Sequence, residues 1–333
     1  MISTATIKSG GTSVSRADGA LVLVNPRSFR MSLRGRLPRI VELIKKRGAT
    51  LVEVYEPGAI RDSLQVALDQ GCNLLVIIGG DGTVQAAVTA LAEMAEPEQR
   101  PRILILGGGR TNYTARDIGT HDRLLATLEM ALDDPARLND TERQTLVLEH
   151  PSLDEPLHGF FVAGALVDHV IRDCHDYRAK GQGPLRRGHV SSAWRVMQLG
   201  LLGLLGRHRF EAPRLSIDAA GLGHIEDSIR LLLLTSLHHR DEWIDPYADR
   251  GHGSIRLSAA STSARGFWRR LPRLIRGRYR TDMAPNTGYL SGMSQEVRIK
   301  GLAGVSLDGQ EIDFDADHPL LIRSGPAFHF LHP

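Results

Sequence analysis

Cysteine is nearly absent: there are two among 333 residues, Cys72 and Cys174, far apart and outside any ligand-spaced cluster. That excludes a disulfide-stapled scaffold and a structural zinc site, and both thiols read as free. Long apolar runs are missing as well. The longest leucine-rich pieces, 199–205 and 231–234, fall well short of the roughly 20 residues that a membrane-spanning helix needs. Residues 1–19 are polar and lack the apolar core of a secretory signal, so they read as a flexible tail on a cytoplasmic protein. Neither sign of charge is in large excess, since 41 Lys and Arg against 38 Asp and Glu give +3. Aromatic residues, at 5%, form no regular platform for stacked bases, and no compact recognition motif accompanies them, so no nucleic-acid partner is expected. The 14 histidines group densely once, as His238-His239 with Asp241, Glu242, Asp245 and His252, without the spacing of a transition-metal site.

What is present has a clear order. A chain of 333 residues exceeds the size at which one hydrophobic core stops growing, so two domains are expected. Short runs rich in β-formers at 20–25, 50–55, 74–78 and 102–106 alternate with stretches of helical periodicity, which predicts a mostly parallel sheet with helices on its faces. Beyond a linker at 135–139 the pattern changes to short apolar or alternating runs separated by turn residues. Those predict an antiparallel, sandwich-like domain with a helical insertion around 185–206. The expected divisions are therefore a tail at 1–19, an α/β domain with a mostly parallel sheet at 20–138, and an antiparallel β-sandwich domain at 139–333. The last apolar run, 327–331, is a candidate closing strand.

The densest chemical signal is Gly79-Gly80-Asp81-Gly82-Thr83, directly after an apolar strand and before a helix-forming stretch. Glycines let backbone amides approach a ligand, and a helix start favours anions. Asp81 would repel a bare phosphate unless a cation or a hydroxyl to be deprotonated lay between them, so the turn points to phosphoryl transfer with Mg2+; the plainer reading is a tight turn at a sheet edge. A second glycine segment, Gly107-Gly108-Gly109 followed by Arg110, Thr111, Asn112 and Arg116, again follows a strand and supplies donors and cations for phosphate oxygens. In a parallel sheet, ligands bind at the carboxyl ends of the strands, where Asn25, Asp81 and these glycines all lie.

The chain at this point resembles the diacylglycerol kinase catalytic family, which includes sphingosine and ceramide kinases and bacterial lipid kinases, from Leu21 to Pro333. The markers are Asn25-Pro26, Gly79 to Thr83, Gly109 with Asn112, Ala115 and Arg116, Gly164 with Asp168, and Asp308-Gly309. The resemblance implies an N-terminal nucleotide-binding domain, a C-terminal lipid-substrate domain, ATP in the cleft, and transfer of its terminal phosphoryl group to a lipid hydroxyl. Asn25, Gly79, Gly80, Gly82, Thr83, Gly107, Gly108, Gly109, Arg110, Thr111, Asn112 and Arg116 are then the nucleotide contacts. Asp308 is the acidic residue that organises Mg2+ and its water, and Asp168 faces the acceptor's polar head, although an aspartate at a strand end is also a common helix cap. Lys180 is a phosphate contact or a solvated lysine among arginines.

This sequence departs from the family in four places. Ser28-Phe29 follows Asn25-Pro26 where a small residue and glycine are usual, and residues 109–116 read Gly-Arg-Thr-Asn-Tyr-Thr-Ala-Arg. Gln310 replaces a glutamate after Asp308-Gly309, and Gly251-His252-Gly253 stands where bacterial members carry an Asp-Asp-Gly turn. Two bases remain: Asp81, as in the sphingosine kinase branch, and His252, whose ordinary pKa suits proton transfer near neutrality. The acceptor is diacylglycerol, ceramide or a related sphingoid lipid. A catalytically silent lipid-binding protein and an NAD-kinase-like phosphotransferase are the alternatives.

Seven arginines between Arg265 and Arg280 alternate with Phe267, Trp268, Leu271, Leu274 and Ile275. The pattern suits an anionic membrane surface, or a solvated face on a helix that packs its leucines inward. A second amphipathic stretch, 185–205, carries Trp194, Met197 and several leucines and suits lipid contact or an ordinary covering helix. Peripheral association with the inner face of a membrane is the expected location, and the sequence leaves a homodimer open.

Overall fold

The computed structural model describes residues 19–31, 35–109, 112–120, 123–169, 171–172, 212–238 and 245–333. Arg110, Thr111, Lys180, the stretch at 185–205 and most of the acidic and histidine cluster at 238–245 lie outside the described residues. Among the described residues no helix is long and apolar enough to cross a membrane.

The first half alternates strand and helix: β1 (Ala20–Val24), α1 (Arg36–Arg47), β2 (Thr50–Glu53), α2 (Pro57–Asp69), β3 (Leu74–Gly79), α3 (Asp81–Met94), β4 (Arg102–Gly107), α4 (Tyr113–Ile118) and α5 (Leu124–Asp133). Every residue of β1 and β3 is buried, because helices cover both faces of these strands. Successive side chains accordingly divide between two cores. Leu21, Leu23, Leu75, Ile77, Ile103 and Ile105 pack with residues of α2 and α3, while Val22, Val24, Val76, Ile78, Leu104 and Leu106 pack with residues of α1 and α5. Gly48 ends α1 in the left-handed region at φ 74°, with its N–H returned to the carbonyls of Ile44 and Lys45, as C-terminal glycines commonly do.

The second half consists largely of strands: β5 (Asn139–Glu149), β6 (Leu157–Gly159), β7 (Phe161–Gly164), β8 (Arg214–Ala219), β9 (Gly223–Thr235), β10 (Ile255–Ser261), β11 (Tyr289–Ser294), β12 (Glu296–Lys300), β13 (Gly304–Leu307), β14 (Gln310–Asp313) and β15 (Leu320–His332), with α6 (Phe267–Leu274) between β10 and β11. Their inward side chains form a separate core that includes Leu146, Ile217, Leu232, Leu257, Val297 and Ile322.

The expectation of a mostly parallel sheet does not hold. The described strands form one mixed 15-stranded network in the order β2-β1-β3-β4-β15-β12-β8-β9-β7-β13-β14, with β5, β6, β10 and β11 attached off that path. Four strand pairings are parallel and ten antiparallel. The physical reason is connectivity: parallel neighbours need a long crossover, supplied here only around β1 to β4, whereas short turns impose antiparallel pairing. β15 joins the two kinds of pairing, running antiparallel to β5 and β12 while Phe330 pairs in parallel with Ile103 of β4.

Side chains also tie the halves together. The Thr89 hydroxyl on α3 donates to the His158 carbonyl at 3.0 Å and accepts the His158 N–H at 3.1 Å. Asp117 on α4 accepts from Arg143 of β5 at 2.7 Å and from the His238 N–H at 2.9 Å.

Candidate active site

The loops leaving β1, β3 and β4 meet at one end of the sheet. Asn25 continues the ladder, its N–H donating to the Ile78 carbonyl at 2.9 Å, and the N–H groups of Gly108 and Gly109 both converge on the Gly79 carbonyl at 2.6 and 3.1 Å. The two glycine segments therefore lie against each other. A Cβ on Gly109 would sit 2.7 Å from the Gly80 Cα, and one on Gly108 would sit 3.1 Å from the Gly79 backbone. Backbone packed on backbone cannot yield as a flexible side chain can. Gly109→Ala should thus cost about 1–3 kcal/mol, read as a lowered urea midpoint.

Side chains complete the floor of the cleft. Asn25 Nδ2 donates to Thr83 Oγ1 at 3.1 Å while its Oδ1 accepts the Arg27 N–H at 3.0 Å. Asn25 and Thr83 thus hold one another and fix the two loops. Asn112 adopts the left-handed region at φ 50°, donates from Nδ2 to the Gly109 carbonyl at 3.0 Å, and leaves its Oδ1 buried without a partner. The resulting cleft holds about 340 Å³ and is bordered by Asn25, Arg27, Tyr55, Gly80, Thr83, Gly109 and Gln310. Arg27 stacks 5.2 Å from the centre of the Tyr55 ring. Sequence reasoning missed Tyr55 and Arg27 as cleft residues; the available signals were Arg27 following Asn25-Pro26 and Tyr55 standing at the exit of β2.

Two acids from opposite halves of the chain face this end of the sheet. Asp81 begins α3 and accepts the Thr114 N–H at 3.3 Å. Burial pushes its pKa above the usual carboxylate range, against the opposing pull of the backbone N–H groups of residues 112–114. Asp308 is 7% exposed and accepts the N–H groups of Phe160 and Phe161 at 3.0 and 2.9 Å. Burial first, and the nearby Asp81 charge second, push it up to about 8. Like charges in a desolvated site each disfavour the other's ionisation.

Residues 19–141 match the family model of the diacylglycerol kinase catalytic domain. That segment belongs to the diacylglycerol kinase catalytic domain family. A probable lipid kinase YegS-like protein of Cronobacter sakazakii (strain ATCC BAA-894) is 30% identical over 136 residues, which are 38% of this chain and 44% of that protein. The match thus spans less than half of that relative's length. A putative diacylglycerol kinase from Bacillus anthracis superposes with a TM-score of 0.63 at 15% identity over 95% of this chain and 97% of that one. A second Bacillus anthracis diacylglycerol kinase structure gives 0.59 at 14% identity with the same coverage. At these identities the solved structures establish the fold.

The remaining family positions differ in how they are held. Asp168 is 5% exposed, and both carboxylate oxygens are engaged: Ser306 Oγ donates to Oδ1 at 2.6 Å and Arg172 Nε to Oδ2 at 2.7 Å. Arg172 continues to Asp313 at 2.8 Å. This is a braced carboxylate at the junction with β13 and β14. Arg116 is exposed on α4. His252 is exposed on the turn before β10. The glycines flanking it answer to packing, since Gly251 and Gly253 take φ of 82° and 142° and a Cβ on Gly253 would lie 2.1 Å from the Ser294 carbonyl oxygen. Gln310, the residue that departs from the family's glutamate, approaches the Gly82 carbonyl through Nε2 at 3.4 Å.

No group of three or more His, Cys, Asp or Glu capable of holding a metal occurs among the described residues. The donor set nevertheless suits Mg2+, which is commonly bound through one or two carboxylates together with substrate phosphates and water. Asp308 would supply such a carboxylate, and the orphaned Asn112 Oδ1 would offer an acceptor for a coordinated water.

Proposed function

We propose that this chain is an ATP-dependent lipid kinase that transfers the γ-phosphoryl group to a primary hydroxyl of diacylglycerol, ceramide or a related sphingoid lipid. The observation that carries this reading is a cleft whose two glycine loops touch backbone to backbone, with Asp81 at the start of α3 and Asp308 held on the N–H groups of Phe160 and Phe161. Asn25, Gly79, Gly80, Gly82, Thr83, Gly107, Gly108, Gly109 and Asn112 form the phosphate-facing wall. Tyr55 and Arg27 border the outer part of the cleft, where a flat base would find a ring and a cation.

Asp81 is the general base. Burial raises its pKa, and a stronger carboxylate base takes a hydroxyl proton more readily. As the lipid oxygen bonds to the γ-phosphorus, its proton passes to Asp81, the bond to the β–γ bridging oxygen breaks, and ADP leaves with that oxygen's electron pair. Bound Mg2+ supplies neutralisation of phosphate charge, a general requirement of this chemistry. Asp308, fixed by two backbone N–H groups, is the second acid of that site. Asp168, braced by Arg172 and Ser306, positions the acceptor side. His252, exposed and flanked by glycines required for packing, is the weaker candidate for the base.

The test is incubation with γ-labelled ATP, Mg2+ and a panel of diacylglycerol, ceramide, sphingosine and NAD. Label in a lipid supports the reading. Label in NAD alone, or tight lipid binding without transfer at any Mg2+ concentration, overturns it.

A further inference from the structure

Helix α6 packs one face and leaves the other open. Phe267 and Leu274, with Leu271, join Ala260, Ala264, Met283 and Tyr289 in a small core. The opposite face carries Trp268, Arg269, Pro272, Arg273 and Arg276, all exposed and spaced i, i+1, i+4, i+5 and i+8, which gathers them on one side of a helical path. No acid occurs between residues 262 and 281. The next one, Asp282, is engaged by Arg270 at 2.6 Å and Arg280 at 3.8 Å. Among the described residues, Arg265, Arg269, Arg273, Arg276 and Arg278 are exposed and make no ion pair. Trp268 is 53% exposed, yet its ring is fixed edge-on to Phe267 at 5.3 Å and capped by Arg230 at 5.3 Å.

We propose that this face of α6 docks the protein on an anionic membrane surface. Uncompensated guanidinium groups are attracted to acidic headgroups, and a rigid, half-exposed indole suits the interface between headgroups and acyl chains. The place of this face in the fold fits an acceptor that resides in the membrane, and to that extent the inference rests on the kinase reading. The chain leaving α6 lies on residues 245–247: the Asp245 N–H donates to the Ile275 carbonyl at 2.8 Å and the Tyr279 hydroxyl to the Pro246 carbonyl at 3.2 Å. Arg256 clasps Asp245 through Nη2 at 2.8 and 2.7 Å. Arg256 in turn pairs with Thr235, and Thr235 with Phe161, whose N–H holds Asp308. Two strand spacings of about 4.8 Å therefore separate Arg256, which clasps the segment under the docking face, from the backbone that holds the second acid.

The test uses the full chain without ATP. Cosedimentation is measured with phosphatidylcholine vesicles alone and with vesicles containing about 30% phosphatidylglycerol, at about 0.1 M salt, where the Debye length is about 10 Å. The wild type should bind the anionic vesicles only. The variant R269Q/R273Q/R276Q should bind on the order of a hundredfold more weakly, at about fivefold per arginine, with an unchanged melting temperature. Trp268→Phe should reduce the blue shift in intrinsic fluorescence that accompanies vesicle binding, leaving only what Trp194 and Trp243 contribute. Wild-type affinity in the triple variant, an undiminished blue shift in Trp268→Phe, or preference for single-stranded RNA over these vesicles would overturn the proposal. Turnover on acceptor lipid dispersed in non-ionic detergent separates the two readings: loss of docking leaves it intact, whereas a failure of the kinase reading leaves no turnover in either protein.

Discussion

Asp81→Asn should lower turnover at saturating ATP and lipid by about 10²- to 10⁴-fold, the range contributed by a positioned general base. The substitution preserves shape, and its amide oxygen can still accept the Thr114 N–H that now reaches Asp81 at 3.3 Å. The first turn of α3 should therefore keep its geometry and ATP affinity should change little. The folded state should also gain stability at neutral pH. Removing the Asp81 charge relieves Asp308, whose pKa that charge helps to raise. A dead but well-folded protein that binds ATP separates the role of base from that of scaffold. His252→Ala, on an exposed turn, should leave turnover close to wild type. Steady-state rates for both variants, with ATP binding by calorimetry, check the assignment; a fully active Asp81→Asn protein would remove Asp81 as base.

The second large effect concerns stability and pH. Asp308 rises from 3.8 to about 8 on folding, so between those values the folded protein keeps a proton that the unfolded chain has released. Stability therefore falls as pH rises through that window, is unaffected by this group below it, and levels off above it. The full rise corresponds to about 6 kcal/mol at about 1.4 kcal/mol per pH unit. Urea unfolding at about pH 5 and about pH 8 should show a loss of several kcal/mol in the wild type. Asp308→Asn should flatten that slope while costing about 1–3 kcal/mol at low pH, because its amide nitrogen must face one of the two N–H donors that the carboxylate now satisfies. An equal slope in the variant would show that other groups carry the pH dependence.

Local features were the most legible in the sequence. The alternation of β1 and β3 through two helix-covered cores follows from their unbroken apolar runs, and the glycine turn after β3 announced itself by composition. Contacts across long separations were not legible. Asp308 takes up its position because Phe160 and Phe161, far away in the sequence, offer their N–H groups; a turn dipeptide at 308–309 carries no trace of that. The bracing of Asp168 by Ser306 and Arg172 is similar, with one partner an i+4 neighbour and the other on β13. The sheet expectation failed for a related reason. Strand–helix alternation ends at β4, and the long strand β15 reaches back from the C-terminus to combine parallel and antiparallel neighbours. Neither its length of 13 residues nor its partners can be derived from residues 320–332 alone. The crowding of Gly253 against Ser294 likewise explains a Gly-His-Gly turn that composition alone left open to a catalytic reading.

The most direct measurement of the central claim is the stoichiometry of phosphoryl transfer. Purified protein is supplied with Mg2+, γ-labelled ATP and acceptor lipid in non-ionic detergent, and ADP release is followed together with label extracted into organic solvent. The account predicts one organic-soluble phosphate for each ADP in the wild type, and both products formed at least about a hundredfold more slowly in Asp81→Asn. ADP formed without labelled lipid, or labelled lipid formed equally by both proteins, would contradict it.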